Sequence, residues 1–278
     1  MFQTLRSPVI AAVIFDVDGV LTNTAGLHEA AWKQVFDEFL ARRGLTGSQG
    51  SLFTSDDYRR YVDGRPRTDG VASFLGSRHI PIPSGDPSDD PGKDTVVGIA
   101  RRKDQAYAAA LQLRGPGPFP SSLTLVRALV EKGVRTAFVS GSRHAADVVR
   151  AAGMESLFQA HVDGFDAERL ALAGKPDPAT FLEAARRLGT VPAETAIVED
   201  ALSGVEAGKR GGFALVVGVD RVGQGAALAR NGADAVVADL GELALEAIHP
   251  GRVHLNLLNA AGGIAALSDP GWTWSYSG

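Results

Sequence analysis

Cysteine is absent from this chain of 278 residues, which excludes disulfides, thiolate metal sites and a cysteine nucleophile. No apolar run approaches the ~20 residues of a membrane-crossing helix. The opening stretch, Met1 to Pro8, lacks the layout of a secretory signal. Positive charge is not in surplus either. Lys and Arg number 28 against 32 Asp and Glu, for a net charge of -4. The basic residues are scattered, so nothing argues for a nucleic-acid partner. What remains is 45% apolar and 22% charged, a globular composition with material for a core and two domains. The expectation is a soluble cytoplasmic protein with no membrane partner.

The organising stretch runs from Val13 to Thr22, VIFDVDGVLT. Val9 to Phe15 reads as a strand buried on both faces. It ends on Asp16, Asp18 and Gly19. Two acids at the carboxyl end of a parallel strand stand where open α/β sheets put their ligands. Their repulsion is costly unless a cation or a shared proton offsets it.

Downstream, Thr24 can cap a helix from Leu27 to Arg42 whose apolar face includes Val35, Phe36 and Phe39. His28 and Trp32 share another stripe of it. Residues 44–107 then break into short helical pieces. Gly64 and Pro66 mark a loop, and Thr68 is expected to cap a helix from Asp69 to Arg78. Pro81 to Asp94 is a turn-rich excursion, followed by a helix from Arg101 to Leu113. This predicts a mostly helical insert, 25–113, with natural hinges near Asn23 to Gly26 and Leu113 to Pro120.

Strand and helix then alternate. Strands are predicted at 134–139, 160–163, 195–198, 214–219 and 235–237, with helices from Ser121, Arg143, Asp177-Pro178 and Ser203. The class is α/β, a parallel sheet with helices on both faces and right-handed crossovers. The core domain is expected over 1–24 and 114–249. Residues 250–278 do not fit the unit and read as a C-terminal tail, or as a linker to a further domain of the same chain. Trp272, Trp274 and Tyr276 alternate there like the start of a new strand.

Attack on a phosphate ester needs a nucleophile, a proton donor, cations, and donors for the equatorial oxygens. Each stands at a strand end. Asp16 or Asp18 can be the nucleophile and the other the acid/base. Ser140 follows a strand and precedes a helix, so its hydroxyl and the first helical N-H groups can hold phosphate oxygens. Lys175, in Gly174-Lys175-Pro176-Asp177, is a cation on a proline-stiffened loop. Glu199 and Asp200 form a second acidic pair, and with Asp16 and Asp18 they make a magnesium site. Each piece has a bland counterpart in a helix cap, a solvated lysine or a polar loop. The conjunction in this order decides.

These four motifs resemble those of the haloacid dehalogenase-like superfamily, over about Val9 to Leu245. The resemblance implies a Rossmann-like core with an inserted helical cap. It implies Asp16 as the nucleophile forming an aspartyl-phosphate, and Asp18 as general acid/base. Mg2+ would be held by Asp16, the Asp18 backbone carbonyl and Asp200, with Glu199 supporting. Within the superfamily the β-phosphoglucomutase-like branch is most similar. That likeness assigns Thr24 and His28 to the acid/base and its gating. Gly64-x-x-Arg67 and Arg102-Lys103-Asp104 become basic cap segments, with Arg67 gripping the non-transferring phosphate and Lys103 assisting. Ser140, Gly141, Ser142 and Arg143 stand where the transferring phosphate binds. Two positions depart from the pattern: Asp63 replaces a usual lysine and His144 a usual asparagine.

A mutase must hold two phosphates, one at Asp16 and one in the cap, so Arg67 leads, with Arg65 and Lys103 weaker. The expected reaction is β-glucose 1-phosphate to glucose 6-phosphate, with glucose 1,6-bisphosphate as activating intermediate. A sugar-phosphate phosphatase would use the same core residues. A non-catalytic sugar-phosphate-binding module is the third reading.

Overall fold

The computed structural model describes residues 7–45, 47–258 and 264–266. Six parallel strands form the central sheet: β2 (Ala12–Asp16), β3 (Arg135–Val139), β4 (Ala160–Val162), β5 (Thr195–Glu199), β6 (Leu215–Val219) and β7 (Ala235–Val237), in the order β4-β3-β2-β5-β6-β7. The pair β2 and β5 occupies the middle, so both acidic strand ends lie at one rim. Alternation along β2 supplies both cores. Val13 and Phe15 pack on one face with Val126, Leu129 and Val148. Ala12 and Ile14 pack on the other with Phe181, Ala184 and Val205. Burial on both faces is why the strand reads as one apolar run.

The predicted single strand from Val9 is in fact two. β1 (Val9–Ile10) pairs antiparallel with β9 (Arg252–Leu258), and the chain changes sheets at Ala11. β9 also pairs with β8 (Leu243–His249) and with β10 (Ile264–Ala266). The stretch expected as a tail from residue 250 therefore begins, as far as Leu258, with the second arm of a hairpin. Its period of two puts Val253 and Leu255 at 0% exposure against the core. Trp272, Trp274 and Tyr276, and any linker beyond, lie outside the described residues.

The insert is helical: α1 (Ala25–Arg42), α2 (Arg67–Ser77) and α3 (Val96–Arg114), with single turns between. It has its own apolar cluster, in which Phe36, Phe39, Phe53, Phe74 and Ile99 are fully buried. Stacked and edge-on ring pairs among Trp32, Phe36, Phe53 and Phe74 make that cluster specific. The two connections to the core run side by side. Asn23 N–H donates to Gly117 O at 2.9 Å, and Gly117 N–H to Asn23 Oδ1 at 3.1 Å. The core helices are α4 (Pro120–Glu131), α5 (Ala145–Ala151), α6 (Gly164–Arg169), α7 (Ala179–Leu188), α8 (Leu202–Arg210) and α9 (Gly225–Arg230). No helix of the described residues is long and apolar enough to cross a membrane.

Candidate active site

Four segments far apart in the chain meet at the carboxyl rim of the sheet. β2 delivers Asp16, and a tight turn follows in which Gly19 N–H donates to Thr22 O at 2.8 Å. Gly19 has φ +87°, and a Cβ there would overlap the Asp200 carboxylate, so only glycine lets the second acidic strand end approach. From the loop before α7, Lys175 Nζ donates to Asp16 Oδ1 at 2.5 Å and also to Glu199 Oε1. Ser140 Oγ, after β3, donates to Asp18 Oδ2 at 3.3 Å. A narrow cavity of about 60 Å³ is bordered by Asp16, Asp18, Ser140, Gly141, Ser142 and Asp200 from the core. Arg65, Arg67, Lys103 and Asp104 border it from the insert.

The electrostatics separate the acids. Burial pushes Asp16 well above the usual carboxylate range; Lys175 opposes this, and Glu199 and Asp18 add repulsion. Asp200 is pushed well up by burial and by the charges of Asp63, Glu199 and Asp16. Burial also acts against ionised Asp18, but His28, Thr24 and Lys103 outweigh it and hold Asp18 below the usual range. Lys175 is raised above an ordinary lysine because Asp16 and Glu199 outweigh its burial. Asp18 is thus held as an ionised carboxylate, able to accept a proton, while Asp16, though paired with Lys175, is the acid whose charge its burial opposes.

Asp18 is held by a second ring of side chains. Thr24 Oγ1 donates to Asp18 Oδ1 at 2.5 Å and shares a 2.8 Å hydrogen bond with Thr22 Oγ1. Thr24 stands at the start of α1 as predicted, but its hydroxyl makes no cap bond. The acid has taken it. His28 Nε2 lies 3.3 Å from Asp18 Oδ1, an ion-pair distance without full hydrogen-bond alignment. The other ring nitrogen, Nδ1, accepts from Lys103 Nζ at 2.5 Å, which fixes the neutral tautomer with its proton on Nε2. Burial and Lys103 lower His28 below its ordinary pKa, consistent with that tautomer. Burial takes Lys103 itself down to about 8 against the pull of Asp18 and Asp104. Tyr107 stacks on His28 at 3.8 Å, and helical spacing from Lys103 was the available signal for it.

The cap loop docks directly onto the core. Ser203 Oγ donates to Asp63 O at 2.8 Å, and Gly64, at φ +71°, leaves no room for a side chain against Ser203. Burial raises the Asp63 carboxyl to about 7, against a hydrogen bond from Tyr58, while Glu199 adds repulsion. The role of Asp63 as a half-buried acid acting on Asp200 was missed. The departure from the family's lysine was its only sign.

Three expectations need correction. Thr68 does not cap α2, because Pro66 occupies that position and its fixed φ suits helix entry. Arg102 faces away, paired with Asp94 at 2.9 Å. Ser140 opens a turn and not a helix. Ser142 N–H donates to its Oγ at 3.1 Å, and α5 begins only at Ala145. The phosphate donors there are consequently loop hydroxyls and N–H groups.

Asp104 joins the insert to the core. Its Oδ1 is 3.2 Å from His144 Nε2 and 3.8 Å from Arg67 Nη1. Among the described residues it is the only carboxylate within ion-pair distance of Arg67. Asp104→Asn is expected to raise KM about three- to tenfold with kcat nearly unchanged, the effect of loosening a binding group by roughly 1 kcal/mol. Steady-state kinetics check this, and a fall confined to kcat would count against it.

An open parallel sheet with two acid pairs, a buried lysine and a serine at one rim, under a helical insert, defines an α/β enzyme with an acid-centred site. The haloacid dehalogenase-like hydrolase family model matches residues 10–212. The β-phosphoglucomutase of Mycobacterium bovis is 46% identical over 84% of this chain and 91% of its own. A phosphorylated carbohydrates phosphatase of Thermotoga maritima is 29% identical over 81% and 93%. The crystal structure of β-phosphoglucomutase from Clostridium difficile shares the fold, with TM-score 0.66 and 22% identity over 84% and 93%. The chain belongs to the haloacid dehalogenase-like family, in its β-phosphoglucomutase-like branch.

Proposed function

We propose that the protein transfers phosphoryl groups on sugar phosphates through an aspartyl-phosphate at Asp16, converting β-glucose 1-phosphate to glucose 6-phosphate. The observation that carries this is the pairing, across one cavity, of the Asp16/Asp18 acids with the insert's Arg67 and Lys103. The likeness to the mycobacterial mutase supports it. A hydrolase needs a cation at one phosphate, whereas a mutase needs cations at both ends of the sugar.

Asp16 keeps one oxygen clear of Lys175 and can present it in line to phosphorus. Lys175 holds that carboxylate in register with Glu199. Asp18, backed by Thr24 and His28, takes the proton from an attacking hydroxyl and returns it to a leaving oxygen. Ser140, Ser142 and the adjoining N–H groups hold the equatorial oxygens, and Arg67 takes the far phosphate. Closure of the insert excludes water from the Asp16 phosphoester, which favours transfer back to sugar over hydrolysis.

The residues suit magnesium by their chemistry. Among the described residues no three His, Asp or Glu side chains already stand as a ready ligand set. Yet Asp16 and Asp200 are hard oxygen donors, pushed up in pKa chiefly by desolvation, with repulsion from neighbouring acids adding to it. Asp16, the Asp18 carbonyl and Asp200 would hold the ion. Glu199 would stand behind them, since its oxygens are taken by Lys175 and by Ala201 N–H at 2.8 Å. When bound, Mg2+ supplies positive charge to the transferring phosphoryl oxygens.

Magnesium should stabilise the fold more at pH 8.5 than at pH 5. Asp16 and Asp200 have folded pKa values above their unfolded ones. The stability they contribute when protonated is full below the unfolded value and lost as pH rises through the folded value. A cation offsets that loss only where the acids are ionised. A Tm rise of about 3–8 °C at pH 8.5, and much less at pH 5, is expected for 1–3 kcal/mol of linkage. Equal shifts at both pH values would count against the site.

The deciding experiment supplies β-glucose 1-phosphate, Mg2+ and a trace of glucose 1,6-bisphosphate. Glucose 6-phosphate without free phosphate supports the mutase. Rapid release of phosphate supports the phosphatase reading, which the likeness to the Thermotoga maritima enzyme favours.

A further inference from the structure

Asp63 enters the site from the insert on an unusual piece of backbone. Tyr58–Val62 form a single π-helical turn, which Asp63 N–H closes by donating to Tyr58 O at 2.9 Å. Such turns are rare and occur frequently at functional sites. On its other side the loop is fixed to the core, because Ser203 Oγ, in the first turn of α8, donates to Asp63 O. Gly64 then packs on Ser203 and Ala201 too closely for a side chain. Insert and core together hold Asp63 beside the end of β5, where Asp200 stands.

Asp63, Tyr58 and Asp200 border two spaces. One is the inner cavity of about 60 Å³, room for one or two waters at ~30 Å³ each. The other, of about 230 Å³, lies beside Gly19, Asn23 and Phe119 at the hinge. After burial itself, the charge of Asp63 does most to push Asp200 up, ahead of Glu199 and Asp16. Yet among the described residues no Lys, Arg or His lies within ion-pair distance of either acid. Lys175, which acts on both, is held by Asp16 and Glu199. Neighbouring acids without a cation between them are costly to bury. The family pattern has a lysine at position 63, and here the insert brings a further acid instead.

Magnesium suits this arrangement. That ion sheds water reluctantly and keeps several waters when one or two carboxylates bind it. A carboxylate behind the direct ligands can accept hydrogen bonds from those waters, and such outer partners matter for affinity.

We propose that Asp63 is an outer ligand of the magnesium site, reached through waters of an ion held at Asp16 and Asp200. This rests on the magnesium reading above and leaves the chemistry at Asp16 unchanged. Because Asp63 belongs to the insert, a bound ion would favour the docked insert, and the docked insert would hold the ion more tightly by the same factor.

The test is calorimetric titration of the full chain with MgCl2 alone at pH 8, with no sugar phosphate present. Asp63→Asn should weaken Mg2+ binding about tenfold, the low end for loss of an outer partner. In EDTA the same variant should melt no lower than the parent, since it relieves repulsion on Asp200. Ser203→Ala loosens the loop without changing a charge, and should weaken Mg2+ roughly two- to fivefold. It keeps the test valid if Asp63→Asn folds poorly. Glu29 borders the hinge-side cavity but is not among the chief charges acting on Asp200. Glu29→Gln should therefore leave Mg2+ affinity within about twofold. The proposal is overturned if Asp63→Asn and Ser203→Ala both bind Mg2+ like the parent, or if Glu29→Gln weakens it as much as Asp63→Asn. Failure of the magnesium reading would show separately, as no Mg2+ binding by the parent chain.

Discussion

Asp16→Asn is expected to lower turnover by at least about 10⁴-fold while leaving the protein folded. The amide oxygen can still accept from Lys175, which remains bonded to Glu199, so the buried pair survives the change. What disappears is the anionic oxygen that would attack phosphorus. Asp18→Asn provides the contrast. It removes the group whose pKa His28 and Thr24 depress, and with it the proton acceptor. Turnover should fall roughly 10²–10⁴-fold, the usual scale of general acid–base catalysis. The variant should still load one phosphoryl group onto Asp16, seen as a mass increase in the intact protein. Wild-type turnover in Asp16→Asn would eliminate the covalent route.

Lys175→Met should remove activity and also destabilise the fold by about 3–5 kcal/mol, the scale for breaking a buried ion pair. Lys175 is 4% exposed and lies between two acids, with the Phe181 ring 5.0 Å from its ammonium. Without it, Asp16 and Glu199 are left buried with no cation between them. In the wild type the lysine's folded pKa is raised above its unfolded value. Its contribution is therefore complete below the unfolded value and is lost only as pH rises through the folded one, so it is constant from pH 5 to 9. The variant should regain stability as pH falls and its acids protonate. Adding Glu199→Gln should restore part of the stability and none of the activity. Chemical denaturation at pH 5 and pH 8 distinguishes these outcomes, and a Lys175→Met protein as stable as the parent at pH 8 would refute the buried arrangement.

Much of the scaffold could be read locally. The run from Val9 to Phe15, the βα alternation and the helical insert are short-range patterns of apolar spacing and turn residues, and the structure has them. The failures were also physical. Ala11 lets one apolar run serve two sheets, because β1 finds its partner in β9 more than 240 positions away. Arg252–Leu258 was taken for a tail, since a strand's partner is not written beside it. Thr24 looked like a cap, and a nearby carboxylate bound its hydroxyl instead. Asp104 was read only as part of the segment Arg102-Lys103-Asp104, and its pairing stayed hidden because its partner His144 comes from the core.

The sequence by itself determined the reactive side chains: Asp16, Asp18, Ser140, Glu199 and Asp200 just at or after strand ends, and Lys175 on a proline-stiffened loop. Their types and their punctuation by apolar strands are properties of neighbouring residues. Only the tertiary structure decided that Lys175 sits between Asp16 and Glu199, that His28 and Lys103 back Asp18, and that Asp104 ties Arg67 to the core. The reason is that a group's charge state and reach depend on burial and on neighbours through space. Those neighbours arrive from positions the local pattern does not connect.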